Sequence, residues 1–293
     1  MGKEMRRYIY KNEYGKEIEF SKKSGFRFTA IDGLSTNTIA INEVSGNSQI
    51  GATSTNKKIE SKDITFEGDF KATYENRRLL IDTLAPGLMA TIRIIDEDIN
   101  LDVYAEGTPV RTPILSEDQV YQKFQFVFHL PFPFWSMTMV QETSFTSYIS
   151  HFRFPRSFSN EISWKISERR LLMIENIKNN GTLKTGFTVV FRAVTPVTSP
   201  ELLKIKTQEI LKMNSDFVLD TGDVLKVSTL SGRKKVILIR AKDGREINAF
   251  PYLSDVSVFW QLDPGDNIVR YGADNNYEGL EVSIIVSTTL AGV

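Results

Sequence analysis

Phe124-Gln-Phe-Val-Phe-His-Leu130 places a phenylalanine at every second position, and this alternation constrains the 293-residue chain more than any other stretch. A period of two belongs to a strand with one buried face. The stretch opens an 18-residue run, from Phe124 to Gln141, without an acidic or basic side chain. That is near the length of a membrane-spanning helix. Pro131, Pro133, Gln125 and His129 within it, and the alternation itself, argue for a sheet strand instead.

The same grammar recurs along the chain. Residues 8–10, 16–20 and 26–31 are short, β-branched or aromatic, and punctuated by Gly15 and Gly25. Residues 62–72 alternate through Ile64 and Phe66. Residues 92–95 and 99–105 predict a hairpin turning at Asp96-Glu97-Asp98. Residues 45–56 are rich in Ser, Gly, Thr and Asn, bury little surface, and predict a long loop or projecting arm. One helix is expected at 74–84, where Leu80 and Leu84 share a face and Ala85-Pro-Gly87 supplies the stop.

Pro131 to Trp135 should end the first sheet, because proline lacks the N–H that a central strand needs. Residues 136–162 show no single period and read as a crossover. In the second half, strands are expected at 171–177, 187–193, 217–219, 224–229, 235–239, 257–262, 268–271 and 280–287. Many short strands at such spacing imply a β-sandwich or jelly roll. Residues 199–214 conflict internally. Ser199-Pro200 followed by good helix formers reads as a helix start, yet Leu203, Ile205 and Thr207 alternate with Lys204 and Lys206. We expect this stretch to be mainly extended, since an isolated helix of that length is marginal while a sandwich offers ladder partners. The fold class is therefore all-β with one short helix. The expected organisation is a first domain at 1–141, a linker at 142–160 and a second domain at 161–293.

Chemistry is sparse. With 36 basic and 36 acidic residues the net charge is zero, without the basic excess of a dedicated nucleic-acid or anionic-membrane binder. No cysteine is present, which removes disulfides, thiolate nucleophiles and thiolate metal sites. The charged N-terminal stretch has no apolar core of a signal peptide. Gly181-Thr-Leu-Lys-Thr-Gly186 has phosphate-loop glycine spacing, but Phe187 stands where the lysine should be. His129 and His151 form no metal-ligand pair, and no Gly-x-Ser-x-Gly elbow marks a nucleophile. Asp263-Pro-Gly-Asp-Asn267 and Asp274-Asn-Asn276 could offer oxygens to Ca²⁺, though turns require the same residues. Trp164 and Trp260 could stack on a sugar; core or edge packing is the simpler role for Trp260. Arg233-Lys-Lys235 reads as turn solvation. No catalytic, cofactor-binding or metal residue is assigned, no cofactor is expected, and an enzyme is not expected.

One ordered series carries more. Ile177-Lys-Asn-Asn-Gly181, Thr185-Gly-Phe-Thr-Val-Val-Phe-Arg-Ala193, Thr221-Gly-Asp-Val-Leu-Lys-Val-Ser-Thr229, Gly232-Arg-Lys-Lys-Val236, Ser257-Val-Phe-Trp-Gln-Leu-Asp-Pro-Gly-Asp-Asn267 and Ile268-Val-Arg-Tyr271 follow one another, and the sequence ends on Ala291-Gly-Val293. This order resembles the distal tail protein (Dit) family of siphophages, non-contractile-tail phages of Gram-positive hosts. The first half fits too, through its early strand pair, Gly51 excursion, 74–84 helix and Pro131–Trp135 closure; Leu130 stands where that family often has Asp. The resemblance implies a β-sandwich-like domain that assembles as a hexameric ring and a galectin-like β-sandwich outside it. The implied role is a structural hub of the tail tip, between the tail tube protein and a baseplate, hub or fibre protein. It implies a virion location after synthesis in the host cytoplasm, no sequence-specific nucleic-acid binding and no membrane contact. A neutral first half suits a ring around a DNA passage. The alternative is a carbohydrate-binding β-sandwich for host cell-wall sugars.

Overall fold

A computed structural model describes residues 6–47, 49–117, 120–150 and 167–293. The chain divides into two compact units: Met1–Met139 with Thr289–Val293, and Val140–Thr288.

In unit one, β1 (Arg7–Asn12), β2 (Glu17–Phe20) and β3 (Phe26–Asp32) precede a separate hairpin of β4 (Ile39–Val44) and β5 (Thr53–Ile59). Then come β6 (Lys62–Lys71), α1 (Tyr74–Thr83), β7 (Ala90–Asp96), β8 (Leu101–Pro109), β9 (Ile114–Leu115), β10 (Tyr121–Leu130) and β11 (Trp135–Ser144), the last running on past the boundary of the unit. One antiparallel sheet has the order β2-β1-β7-β8, with β11 beside β8 through Ser136 and Met137. The other joins β3, β6 and β10, with β9 on β10 and the end of β8 crossing over to pair Pro109 with Phe128.

Alternation sorts the side chains. Tyr10, Phe20, Ile92 and Ile94 of the first sheet are buried with Phe66, Phe124, Phe126 and Phe128 of the second in one core. The Tyr10 ring lies 5.8 Å from Phe128, and Phe66 stacks on Phe126 at 5.0 Å. Gly68 stands opposite Phe124, and a Cβ at Gly68 would collide with that ring and with the Arg27 carbonyl. A ring lying over a bare backbone is how a strand glycine is packed. The expected helix is α1: the Thr73 hydroxyl accepts the Asn76 N–H at 3.2 Å, Leu80 and Leu84 are buried, and Gly87 takes a left-handed φ of 83° just beyond.

Two expectations need correction. The polar stretch at 45–56 is a loop only up to Ala52, because the chain pairs again from Thr53 as β5. A hairpin ladder satisfies backbone groups without burying side chains, so polarity alone did not exclude a strand. Residues 136–144 and 146–150 are strands rather than irregular crossover. Residues 151–166, with His151 and Trp164, lie outside the described residues. No helix among the described residues is long and apolar enough to cross a membrane.

Unit two continues with β12 (Thr146–Ser150), β13 (Ser167–Leu171), β14 (Ile174–Asn179), β15 (Phe187–Ala193), β16 (Val197–Lys204), β17 (Glu209–Lys212) and β18 (Val218–Leu219). After these come β19 (Val224–Ser228), β20 (Lys235–Ile239), β21 (Glu246–Asn248), β22 (Gly265–Asn275) and β23 (Leu280–Leu290), whose end rejoins unit one. The sheets are β23-β15-β19-β20-β21 and β14-β22-β16-β17, with β18 beside β16. They close over a core containing Phe187, Phe191, Leu202, Tyr271 and Ile284. The all-β expectation holds in both units. Residues 201–214 are extended, as β16, a turn at 205–208, and β17. Residues 257–262, by contrast, form no named strand. The Ser257 N–H donates to the Ser254 carbonyl and the Trp260 N–H to the Val258 carbonyl, and between these turn-like bonds pairing is isolated, from the Val258 N–H to the Ile210 carbonyl and both ways between Leu262 and Thr185.

Candidate functional site

The β4–β5 hairpin is the least covered element of unit one. Its strands are exposed nearly throughout, including Ile39 and Ile41, each 51% exposed, and Val44. Its base is held firmly. The Leu34 carbonyl accepts the indole N–H of buried Trp135 at 3.2 Å and the ammonium of Lys62 at 3.0 Å. The Lys62 Nζ also sits 5.9 Å over the Trp135 ring. The Glu60 N–H donates to the Thr38 carbonyl and closes the hairpin below its strands. The Ser35 hydroxyl donates to the Val293 carbonyl at 2.6 Å, the Asn37 amide donates to the Ala291 carbonyl, and Gly292 packs on Ser35. Leu290 and Val293 pack against the core of unit one. The arm thus projects from a clamp made of β6, β11 and residues 289–293.

Burial lowers the Lys62 ammonium from 10.5 to about 8. Between those values the unfolded chain binds the proton that the folded chain has released. Stability therefore rises as pH increases from about 8 towards 10, by at most about 3 kcal/mol. Urea unfolding of unit one at pH 7.5, 9 and 10 should show the rise in the wild type and lose it in Lys62→Met. The comparison stops at pH 10, because burial pushes the Tyr10 hydroxyl upward and its exposure on unfolding favours the unfolded chain at higher pH.

Elsewhere several charged groups are matched within the chain. Lys204, almost fully buried, donates to Asp263 at 2.7 Å and to the Gln261 carbonyl at 2.9 Å. Hydrogen bonds from Lys204 and then Lys184 hold the Asp263 carboxyl below the usual range. Asp274 is likewise lowered by its bond to Lys212, and Asp223 pairs with Arg240. The His129 Nδ1 lies 2.7 Å from the Asp63 carboxylate on the surface strand pair β10 and β6.

The Asp263–Asn267 stretch folds on itself as a turn. Asn267 Oδ1 accepts the Asp263 N–H at 2.9 Å, and its amide donates to the Asp263 and Gly265 carbonyls at 2.8 and 3.1 Å. Asn276 takes a left-handed φ of 57° and donates to Thr195 and the Pro196 carbonyl. In the Gly181–Gly186 loop the Asn179 side chain accepts the Gly181 N–H. Trp260 is 2% exposed and packs 4.5 Å from Phe187. The ring face considered for a sugar is therefore turned into the core. Among the described residues no group of three or more His, Asp or Glu side chains is placed to hold a metal ion. The site that sequence reading missed is the clamp, because its decisive acceptor is a backbone carbonyl, Leu34, and its donors lie far along the chain.

Residues 180–284 match the siphovirus-type tail component, C-terminal domain. The resemblance read from the sequence stands. The crystal structure of the SPP1 Dit (gp 19.1) protein, described as a paradigm of the hub adsorption apparatus in phages infecting Gram-positive hosts, is similar over 96% of this chain and 98% of its own, with 13% identity and a TM-score of 0.63. A chain of the phage P2 baseplate in its activated conformation with Ca is similar over 98% and 99%, with 11% identity and a TM-score of 0.54. The same baseplate with Sr gives a TM-score of 0.55 at 11% identity. No curated protein matches in sequence.

Proposed function

We propose that this chain is a structural hub of a non-contractile phage tail tip. Six copies close a ring through unit one, each β4–β5 arm lying on the next copy, with unit two, the galectin-like domain, outside the ring. The ring joins the tail tube protein to a baseplate or fibre protein at the virion tail tip, and its role is structural rather than catalytic. The observation that carries this reading is the clamped arm. Its base is fixed by four hydrogen bonds to Leu34, Ser35 and Asn37, while Ile39, Ile41, Val44 and Ile50 stand exposed. Covering such side chains stabilises an interface by about 25 cal/mol per Å² of apolar area. A head-to-tail contact that closes by rotation gives each arm the same partner surface. The tail-component match over 180–284 and the shared fold with the two tail structures support the same role.

Multi-angle light scattering across a concentration series up to millimolar tests it. The wild type should approach a six-fold mass. Ile39→Asp/Ile41→Asp should stay monomeric with an unchanged unfolding temperature, since both side chains are exposed in the single chain. A two-fold dimer, or a hexamer indifferent to the substitutions, would defeat the proposal.

A further inference from the structure

The β23-β15-β19-β20-β21 sheet of unit two ends on β21, which pairs only with β20 among the described residues. The Ala249 N–H donates to the Val236 carbonyl and the Arg240 N–H to the Arg245 carbonyl, so positions 245 and 249 face β20. Backbone polarity alternates along an antiparallel strand, and the N–H and C=O groups of Glu246 and Asn248 therefore point away from β20. Both residues are exposed. Beside this open edge runs a groove of about 440 Å³, lined in part by Lys234, Lys235, Ile237, Ile247 and Phe250. Phe250, 45% exposed, stacks on Phe259 at 5.6 Å, and the Lys234 ammonium lies 5.3 Å over the Phe259 ring.

Two adjacent cations, Lys234 and Lys235, line the groove at this edge. Lys184, Lys204, Lys212 and Arg240 of the same unit each have a carboxylate partner. Lys234 and Lys235 have none among the described residues, and they stand together at a groove where Ile237, Ile247 and Phe250 alternate with Asn248 and a single carboxylate, Glu246. We propose that this groove and edge receive an extended acidic segment of a protein partner. The segment adds a strand to β21, its backbone meeting Glu246 and Asn248, its carboxylates meeting Lys234 and Lys235, and its apolar side chains packing by Phe250. Main-chain pairing at an open edge provides affinity, and side-chain pockets provide selectivity. This surface goes beyond the ring reading and does not depend on it.

The probe is the full chain with fluorescein-labelled acetyl-(Asp-Val)₄-amide, read by anisotropy and by amide hydrogen exchange. We expect saturable binding, slower exchange at Glu246 and Asn248, and at least tenfold weaker binding by Lys234→Glu/Lys235→Glu. That variant alters only surface side chains, and an unchanged unfolding temperature verifies its fold. Acetyl-(Lys-Val)₄-amide should bind at least tenfold more weakly than the acidic peptide. Absence of binding at millimolar peptide, or equal binding of the basic peptide, overturns the proposal. So does displacement of the peptide by polyphosphate when the peptide itself leaves exchange at Glu246 and Asn248 unchanged, which would make the groove an anion site without strand addition.

Discussion

Trp135→Ala is expected to lower the stability of unit one by about 3–5 kcal/mol, the usual cost of deleting a large buried aromatic. The side chain is fully buried, its indole N–H holds the Leu34 carbonyl at 3.2 Å, and its ring underlies the Lys62 ammonium. For a domain near 150 residues this is a fall of roughly 6–20 °C in the unfolding temperature of that unit. Trp135→Phe keeps most of the ring volume but loses the donor and part of the bicyclic ring, so about 1–2 kcal/mol should separate it from the wild type. Calorimetry on the two variants measures both effects. Hydrogen exchange at residues 39–44 should quicken in the alanine variant, because the arm then depends on Lys62 and residues 291–293 for its anchorage. An alanine variant within 1 kcal/mol of the wild type would show that the clamp does not stabilise unit one.

In unit two a large effect from a polar side chain is expected at Asn267. Its side chain accepts from the Asp263 N–H, donates to the Asp263 and Gly265 carbonyls, and lies 3.3 Å from the Ile177 carbonyl of the neighbouring strand. The Asn267 N–H donates to Asn176, which ties β22 to β14 at the same point. Asn267→Ala leaves several of these buried groups without partners, at about 3 kcal/mol in all. The transition of unit two should fall by roughly 6–12 °C. Asn267→Asp matches the shape but cannot donate, and should lose about as much. Calorimetry on both variants follows the transition of this unit. A loss below 1 kcal/mol in both variants would remove the turn from the forces that hold the sandwich.

The parts of the fold legible in sequence are those in which burial and backbone pairing coincide. Phe124, Phe126 and Phe128 are buried because a period of two puts them on one face, and β6 repeats the logic through Ile64 and Phe66. Where the two separate, sequence reading divides. Between 257 and 262 the expected core or edge packing of Trp260 agrees with its burial, but the expected strand is reduced to isolated bonds at Val258 and Leu262 among turn bonds. In β4 and β5 the pairing is present without burial, and a polar composition conceals it. The Ser199-Pro200 signal that resembles a helix start is a kink in β16. Ser199 has a φ of 51°, and its buried hydroxyl donates to the Met213 carbonyl at 2.6 Å. The clamp is illegible for a different reason: its acceptors are carbonyls, which every residue carries, and only the folded path chooses among them.

That path has a consequence in time. Ser35 and Asn37 find their acceptors 258 and 254 residues later, at Val293 and Ala291. At roughly 5–20 residues per second of synthesis, those acceptors emerge roughly 13–50 s after the arm itself. The nascent arm therefore waits without half of its anchorage until residues 291–293 emerge. A variant in which those residues are replaced by a flexible Gly-Ser stretch should present an unlatched arm. The latch makes the geometry of the arm depend on the segment of unit one synthesised long after it.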